Sequence, residues 1–441
     1  MRTTPTRQAL PSVRGGRRPL RWAVALAMPL ALILATDATA QSGARPDGRG
    51  GQLGGDLGGD LRGDLAGNLR GDLRGDLGGN LRGNLQRTLD ALVGEAGYPG
   101  MTLGVALPDG TTLGLAAGLA DTASAEAMRP DHLMLQGSVG KTYFGAVALQ
   151  LVHEGRLDLD SRLADHLGDL PWYHRVPNAS DATLRQLMRH QSGIVRYEMN
   201  PRFMEDLTND PYRSWTPEDR LAYLLDGEPP FPAGEGWDYS DTNYILLAMV
   251  VERITGTAAY DEIRRRILEP LGFERTVPSD QPDIPGLAQG YAGPGNPFGA
   301  FDATLVDGRL AFNPQFEWAG GGFASTAEDL ARWVKDIHEG RAFDGSLLEQ
   351  ARTGVPAPLG PRGRYGLGVI MLELPAGTAW GHSGFMPGYR TESYYFPEHG
   401  FGLALQVNSS APGALPRSPL AMLDDLAEVV KGHLPAGGAS R

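Results

Sequence analysis

Ser138 and Lys141 stand three residues apart in Gly137-Ser138-Val139-Gly140-Lys141-Thr142. A serine hydroxyl becomes a nucleophile when a neighbouring base takes its proton, and an amine that can release a proton is such a base. Of the 40 lysine and arginine residues only three are lysine, at positions 141, 335 and 431. Where arginine carries nearly all the positive charge, a lysine marks a place that a guanidinium, which does not deprotonate in proteins, would not serve. Spacing alone does not decide, because Ser-x-x-Lys arises by chance about once in a chain of this length. A serine that merely caps a helix and a lysine on the surface would give the same letters.

Two further groups have chemical potential. Tyr239-Ser240-Asp241-Thr242-Asn243-Tyr244 follows Pro232-Ala233-Gly234-Glu235-Gly236 and opens an apolar stretch from Tyr244 to Ile254 that Gly256 stops. Gly381-His382-Ser383-Gly384 reads as a turn leading into a strand. His153, His166, His174 and His190 share no metal-ligand spacing and take an ordinary structural reading, so neither a metal nor another cofactor is expected. Trp237, Trp380 and Phe385 border these groups, as acyl-pocket lining or as core. Arg390 is a candidate for a substrate carboxylate, with structural use favoured. Glu205-Asp206-Leu207-Thr208-Asn209 matches a Glu-x-x-x-Asn pattern but falls in a loop-like stretch before the tyrosine group and is read as coincidence.

The elements that must position these residues follow from patterning. From Ser138 to Glu154 the chain is nearly all apolar after Lys141, which predicts a buried helix opened by Ser138, with both side chains on one face. Burial there would favour an uncharged amine. The apolar runs Met101–Leu107 and Thr111–Leu119, joined by Pro108-Asp109-Gly110, predict a hairpin. Its partner strands come only at the far end, as Tyr365–Leu372, Tyr389–Phe396 and Gly402–Val407, before a helix near Pro419–Leu434. In between, Thr183 with Gln186 and Ser325 with Glu328 have capping-box spacing, and Gly155, Gly193, Gly256 and Gly340 follow apolar runs as helix stops. The expected fold is α/β (α+β): an antiparallel sheet from the two ends of the chain with flanking helices, a mostly helical middle subdomain, and a cleft at the seam.

With 441 residues and 41% hydrophobic content the chain can bury a large core. Its first forty residues hold six arginines, an apolar run from Trp22 to Ala35 and then Ala38-Thr39-Ala40, the pattern of a signal peptide (1–40) cleaved after Ala40. That run is too short for a membrane anchor and contains Pro29. The mature protein is therefore expected to be periplasmic or extracellular, with no stable membrane span. Loss of six arginines and Asp37 takes the formal charge from −12 to about −17, which argues against nucleic acid and anionic lipid as partners. The absence of cysteine excludes disulfides and thiolate chemistry. Residues 41–84 form a Gly/Asp/Leu low-complexity stretch in which leucine recurs at every fourth position from Leu53 onward, as far as Leu89. Glycine in nearly every unit costs about 1 kcal/mol per residue in a helix, so a low-complexity linker is expected before a domain at 85–436 whose first helical face is Leu85, Leu89 and Leu92. The Arg-Gly-Asp triplets at 62, 70 and 74 are products of that repeat.

Serine-lysine, tyrosine-x-asparagine or aspartate, and histidine-x-glycine, in this order, resemble the signature of the penicillin-recognising serine hydrolases. The branch is that of class C β-lactamases, with D-alanyl-D-alanine carboxypeptidases, esterases and related amidases. Leu149–Asp160, Thr183–Gly193, Gly320–Leu330 and Tyr365–Gly368 are similar to further shared stretches, so the likeness runs from about Leu85 to about Leu434. It implies that Ser138 forms an acyl-enzyme with an amide, an ester or a cell-wall D-alanyl peptide, that Lys141 and Tyr239 share the proton work, and that the amides of Ser138 and Phe385, beside Gly384, form the oxyanion hole. His382 stands where many relatives carry lysine and is expected to orient Tyr239 or a substrate carboxylate. Asp241 departs from the more usual asparagine, because an ionised carboxylate only accepts hydrogen bonds and would pair with Lys141. The reading is an exported serine hydrolase acting on a small-molecule or peptide substrate; β-lactam hydrolysis and a non-catalytic sensor or binding module are the alternatives. Asp241→Asn should lower the pH at which activity rises, because it removes a charge that keeps Lys141 protonated; a kcat/KM–pH profile identical to wild type would show the two groups to be uncoupled.

Overall fold

The strand Gly100–Ala106 (GMTLGVA) is buried along its whole length, as a strand with covered faces and a neighbour on each side must be. The computed structural model describes residues 81–294, 296–299, 301–411 and 417–435, so the export signal, residues 41–80 of the repeat and residue 436 lie outside the described residues. Nine strands form an antiparallel sheet: β1 (Gly100–Ala106), β2 (Thr112–Asp121), β3 (Glu126–Ala127), β4 (Val355–Pro356), β5 (Arg364–Tyr365), β6 (Ile370–Leu374), β7 (Gly377–Met386), β8 (Tyr389–Phe396) and β9 (Phe401–Val407). Their order is β3-β2-β1-β9-β8-β7-β6-β5-β4. The two ends of the chain thus close one sheet, with Met101 opposite Val407 and Val105 opposite Leu403.

Five helices matter for the site: α1 (Leu81–Ala96), α2 (Lys141–His153), α3 (Thr242–Thr255), α4 (Ala327–His338) and α5 (Pro419–His433). Leu85, Leu89 and Leu92 of α1 are fully buried in one apolar cluster with Met422, Leu423 and Leu426 of α5 and the inner residues of β1 and β9. α1 begins at Leu81, one repeat unit before the expected start at Leu85. Packing on the sheet and on α5 offsets what Gly83 costs the helix.

On the other face α4 lies against β1, β8 and β9. It comes close because a Cβ on Gly104 would strike the Ala327 carbonyl and one on Gly402 would strike the Ala331 carbonyl. The helical region is built on α2 and α3, which are apolar all round and buried over Lys141–Leu149 and Thr242–Val251. Among the described residues no helix is long and apolar enough to cross a membrane.

Three local expectations change. The run Tyr365–Leu372 is not one strand: Gly368, at φ +79°, reverses the chain between β5 and β6, and the Gly366 amide donates to the Val369 carbonyl at 2.8 Å. The α4 cap is Thr326, whose hydroxyl accepts from the Asp329 amide at 3.2 Å; Ser325 instead ends the short strand Phe323–Ser325 and bonds Thr276. Thr183 and Gln186 do form the reciprocal capping box. Finally, Gly381-His382-Ser383-Gly384 lies within β7 rather than in a turn before it. Its glycines serve close approach, since a Cβ on Gly381 would strike the Ser393 carbonyl on β8.

Gly104→Ala should destabilise the protein by about 1–3 kcal/mol through overpacking against α4. Gly94→Ala, at an open helical position of α1, should stabilise it by up to about 1 kcal/mol. Urea unfolding checks both signs, and equal effects would show that the sheet–helix contact is not tight.

Candidate active site

After the short strand Met134–Leu135 the chain turns through Gly137, at φ +55°, into a 3₁₀ turn over Gly137–Gly140 that leads into α2. The α-helix therefore starts at Lys141, and Ser138 belongs to the tighter turn before it. In a 3₁₀ turn residues three apart eclipse. Lys141 Nζ accordingly donates to Ser138 Oγ at 3.0 Å.

Glycines allow three backbones to meet here. A Cβ on Gly137 would lie 2.5–2.8 Å from the N, O and C atoms of Phe385, one on Gly140 would strike Gly321, and one on Gly384 would strike the Gln136 carbonyl. Segments 136–140, 320–322 and 384–385 are thereby packed around Ser138, with the Phe385 amide beside it. Ser138 and Gly384 are buried, and Phe385 is half-buried with its ring 6.0 Å from that of Phe298.

Lys141 is fully buried. Its ammonium donates to Ser138 Oγ and to the Gly320 carbonyl and forms an ion pair with Asp241 Oδ1. This is the geometry of a compensated ammonium and not of the uncharged amine that burial alone would favour. Asp241 precedes the first turn of α3, and its Oδ2 accepts from Arg196 Nη2 at 3.1 Å. Burial would raise the Asp241 carboxyl, but the Lys141 and Arg196 charges override that and hold it well below the usual carboxylate range.

Tyr239 lies alongside, with Lys141 Nζ 4.9 Å and the Arg196 guanidinium 5.5 Å from its ring centroid. Burial and the Asp241 charge push its phenol well up, so the resting side chain is protonated, although Ser138 and Arg196 pull in the opposite direction. Its hydroxyl is buried and has no well-oriented hydrogen-bond partner among the described residues.

His382 is placed differently from expectation. It is fully buried, its Nδ1 is 2.6 Å from the Ser383 carbonyl and its Nε2 is 3.0 Å from the Tyr365 hydroxyl. A carbonyl only accepts, so Nδ1 carries the proton and Nε2 accepts from Tyr365. Burial and the Lys141 charge hold the ring neutral, with its pKa pushed down to about 3. Both nitrogens are thus engaged, and neither is free to orient Tyr239 or to receive a substrate carboxylate. The ring lies 6.2 Å from that of Tyr239 and acts as packing.

His190, read from sequence as ordinary, lies with its ring tilted 36° and 4.2 Å from the Tyr239 ring, and its Nδ1 accepts from the Ser240 amide at 3.2 Å. Tyr365 meets Tyr239 edge-on at 6.1 Å. Trp237 is half-buried 6.5 Å from the Tyr239 ring, whereas Trp380 packs on His338 and Tyr395 under Arg352 and borders no cleft at Ser138. Arg390 faces Tyr98 and Glu392, the structural use favoured above. Glu205–Asn209 belongs to a helix, Pro201–Asn209, and not to a loop; Glu205 is exposed there.

Three ionisable groups at the site carry no motif. Arg196 and Glu198 flank Tyr197 after Gly193, and Glu317 Oε2 accepts the Gly322 amide at 3.0 Å. Burial pushes Glu317 up to about 8 despite Lys141. Among the described residues no three acidic or histidine side chains converge so as to hold a metal ion.

The chain is 32% identical to penicillin-binding protein 4 of Amycolatopsis lactamdurans over 43% of its own length and 47% of that protein. It is 24% identical to D-aminopeptidase of Brucella ovis over 73% of its length and 61% of that protein. It therefore spans about half to three-fifths of the curated relatives it matches. Among solved structures, D-amino acid amidase from Ochrobactrum anthropi in complex with D-phenylalanine superposes with a TM-score of 0.69 at 26% identity, covering 80% of this chain and 99% of that one. The beta-lactamase family model matches residues 85–426. Because that match runs from α1 into α5, and so takes in both ends of the sheet and the helical region between them, the chain belongs to the beta-lactamase family.

Proposed function

We propose that this protein is an exported serine hydrolase that opens an amide or ester bond through an acyl-enzyme on Ser138, with amides and short peptides of D-amino acids as the favoured substrates. The observation that carries the reading is the buried Ser138–Lys141 hydrogen bond of 3.0 Å with Tyr239 and Asp241 beside it. The D-aminopeptidase and D-amino acid amidase relatives support the substrate class, which includes the D-alanyl bond of cell-wall peptides. Export rests on the leader sequence, and an N-terminus at Gln41 in secreted material is its test.

In this mechanism Ser138 Oγ bonds to the substrate carbonyl carbon while its proton passes to the Lys141–Tyr239 pair. That proton then goes to the departing amine or alcohol, leaving an ester on Ser138. Water attacks the ester, releases the acid and returns the proton to Ser138. The amides of Ser138 and Phe385 are the donors to the carbonyl oxygen as it gains charge. At rest Lys141 is an ammonium and Tyr239 a phenol, so acylation requires the pair to lose one proton. Activity accordingly rises with pH, as a property of the pair and not of either residue alone.

Incubating the mature protein with a fluorescent penicillin, p-nitrophenyl acetate and D-phenylalanine amide, followed by peptide mass spectrometry, should place an adduct on Ser138 and show turnover of the ester and the amide. Ser138→Ala should lose about 10³-fold or more. A folded wild-type protein with no adduct and no turnover would remove the enzyme reading, and a penicillin adduct without any turnover would favour a binding module.

Glu317 gives a pH prediction. Its folded-state pKa of about 8 lies above the usual carboxyl range. The folded state therefore keeps a proton that the unfolded chain releases, and stability is lost as pH rises from the carboxyl range to about 8. Glu317→Gln should leave stability nearly unchanged at acid pH and raise it relative to wild type at pH 9. Unfolding curves at both pH values decide this, and a difference that is the same at both would mean that Glu317 ionises normally.

A further inference from the structure

Asp241 poses a problem that the site answers within itself. A lone carboxylate against Lys141 would lock the lysine as an ammonium and oppose the proton loss that acylation needs. Arg196 lies on the far side of that carboxylate. Its side chain is only 15% exposed, with Nη2 3.1 Å from Asp241 Oδ2 and 3.6 Å from Glu198 Oε1. The segment that carries it is tied to the start of α3: the Thr242 hydroxyl donates to the Val195 carbonyl at 2.8 Å and accepts from the Tyr197 amide at 3.2 Å. The Tyr197 hydroxyl donates to the Phe316 carbonyl at 2.7 Å. Arg196 is thus held over Asp241 by backbone ties on both sides of it.

We propose that Arg196 is a positioning residue that neutralises Asp241, so that the Asp241–Arg196 ion pair stands in for a side-chain amide: Asp241 Oδ1 still faces Lys141, but the pair brings no net charge. The inference rests on the reading of Lys141 and Tyr239 as the proton-handling pair.

The other titratable groups facing this cluster leave that balance intact near neutral pH. Burial holds His190 and His382 uncharged. It pushes the Glu198 and Glu317 carboxyls up, Glu317 to about 8, and the neighbouring Asp241 charge acts in the same direction on Glu198. Tyr197, Tyr239, Tyr244 and Tyr365 are phenols, each raised chiefly by burial. The charges that remain are Lys141, Asp241 and Arg196. Their sum is that of Lys141 beside a neutral amide.

The test is a double-mutant cycle of Arg196→Met and Asp241→Asn, with Arg196→Lys as the charge-keeping control. Two readouts are used: the kcat/KM–pH profile on p-nitrophenyl acetate, and NMR titration of protein labelled with ¹³C at lysine Cε. Because the chain has three lysines, the spectrum is simple, and Lys141→Arg assigns the signal. Arg196→Met should move the Lys141 titration and the rise of activity upward by about one pH unit or more, and lower kcat/KM near neutral pH about tenfold. The double variant, which leaves Lys141 beside an uncharged amide, should return both to near the wild-type values, Asp241→Asn alone should lie below them because Arg196 is left unpaired, and Arg196→Lys should resemble wild type. An unmoved Lys141 signal in Arg196→Met, or a double variant that keeps the full Arg196→Met shift, would overturn the proposal. If Arg196→Met does not fold, a double variant that folds and titrates like wild type supports it, and one whose Lys141 titration and rise of activity lie about one pH unit or more above wild type overturns it. If the wild type itself fails to hydrolyse the ester, the hydrolase reading falls while the NMR titration still decides the role of Arg196.

Discussion

A fully buried lysine ammonium needs acceptors and a counter-charge, and the site is organised around meeting that need for Lys141. An uncompensated charge at that depth would cost several kcal/mol. Two acceptors and one counter-charge come from three distant parts of the chain: Ser138 from the turn before α2, Gly320 from the segment leading to α4, and the Asp241 carboxylate from the entry to α3. The same contacts that satisfy the ammonium therefore fix the nucleophile against the helical region. Glycines at 137, 140, 321 and 384 permit it, because side chains there would hold the backbones apart.

The sheet provides the other wall. Pairing β1 with β9 commits both ends of the chain, and β7, two places further along, carries Gly384 and Phe385 to the Ser138 turn. Around the charged centre lies an aromatic and imidazole shell of His190, Tyr365 and His382, with neutral rings and few free polar atoms. This shell excludes water from Tyr239 and pushes its phenol upward. Proton transfer is thereby confined to a few groups whose charges are set by one another, a typical way for an active site to combine burial with reactivity.

Much of this was legible in the sequence because it is local. The apolar runs revealed the first hairpin and two of its far partners, β8 and β9, and the spacing of Ser138 and Lys141 survives as a 3₁₀ turn. The motif order of Ser138, Tyr239 and His382 suggested the family before any coordinate. What was not legible depends on contacts between distant segments. Nothing beside Arg196, Glu198 or Glu317 in the chain marks them, and only the fold brings them to Asp241 and Lys141. His382 illustrates the converse, for its motif position was clear while its role depends on Tyr365 and the Ser383 carbonyl occupying both nitrogens. The division of Tyr365–Leu372 into two strands turned on the backbone conformation of one glycine, Gly368, that apolar patterning does not report.

The central claim, that resting Lys141 is an ammonium with two acceptors and the Asp241 counter-charge, is tested most directly by neutron diffraction from perdeuterated crystals at pH 7. The account predicts three deuterons on Lys141 Nζ, directed at Ser138 Oγ, the Gly320 carbonyl and Asp241 Oδ1, together with a protonated Tyr239. Two deuterons on Nζ, or a Tyr239 oxygen without one, would contradict it.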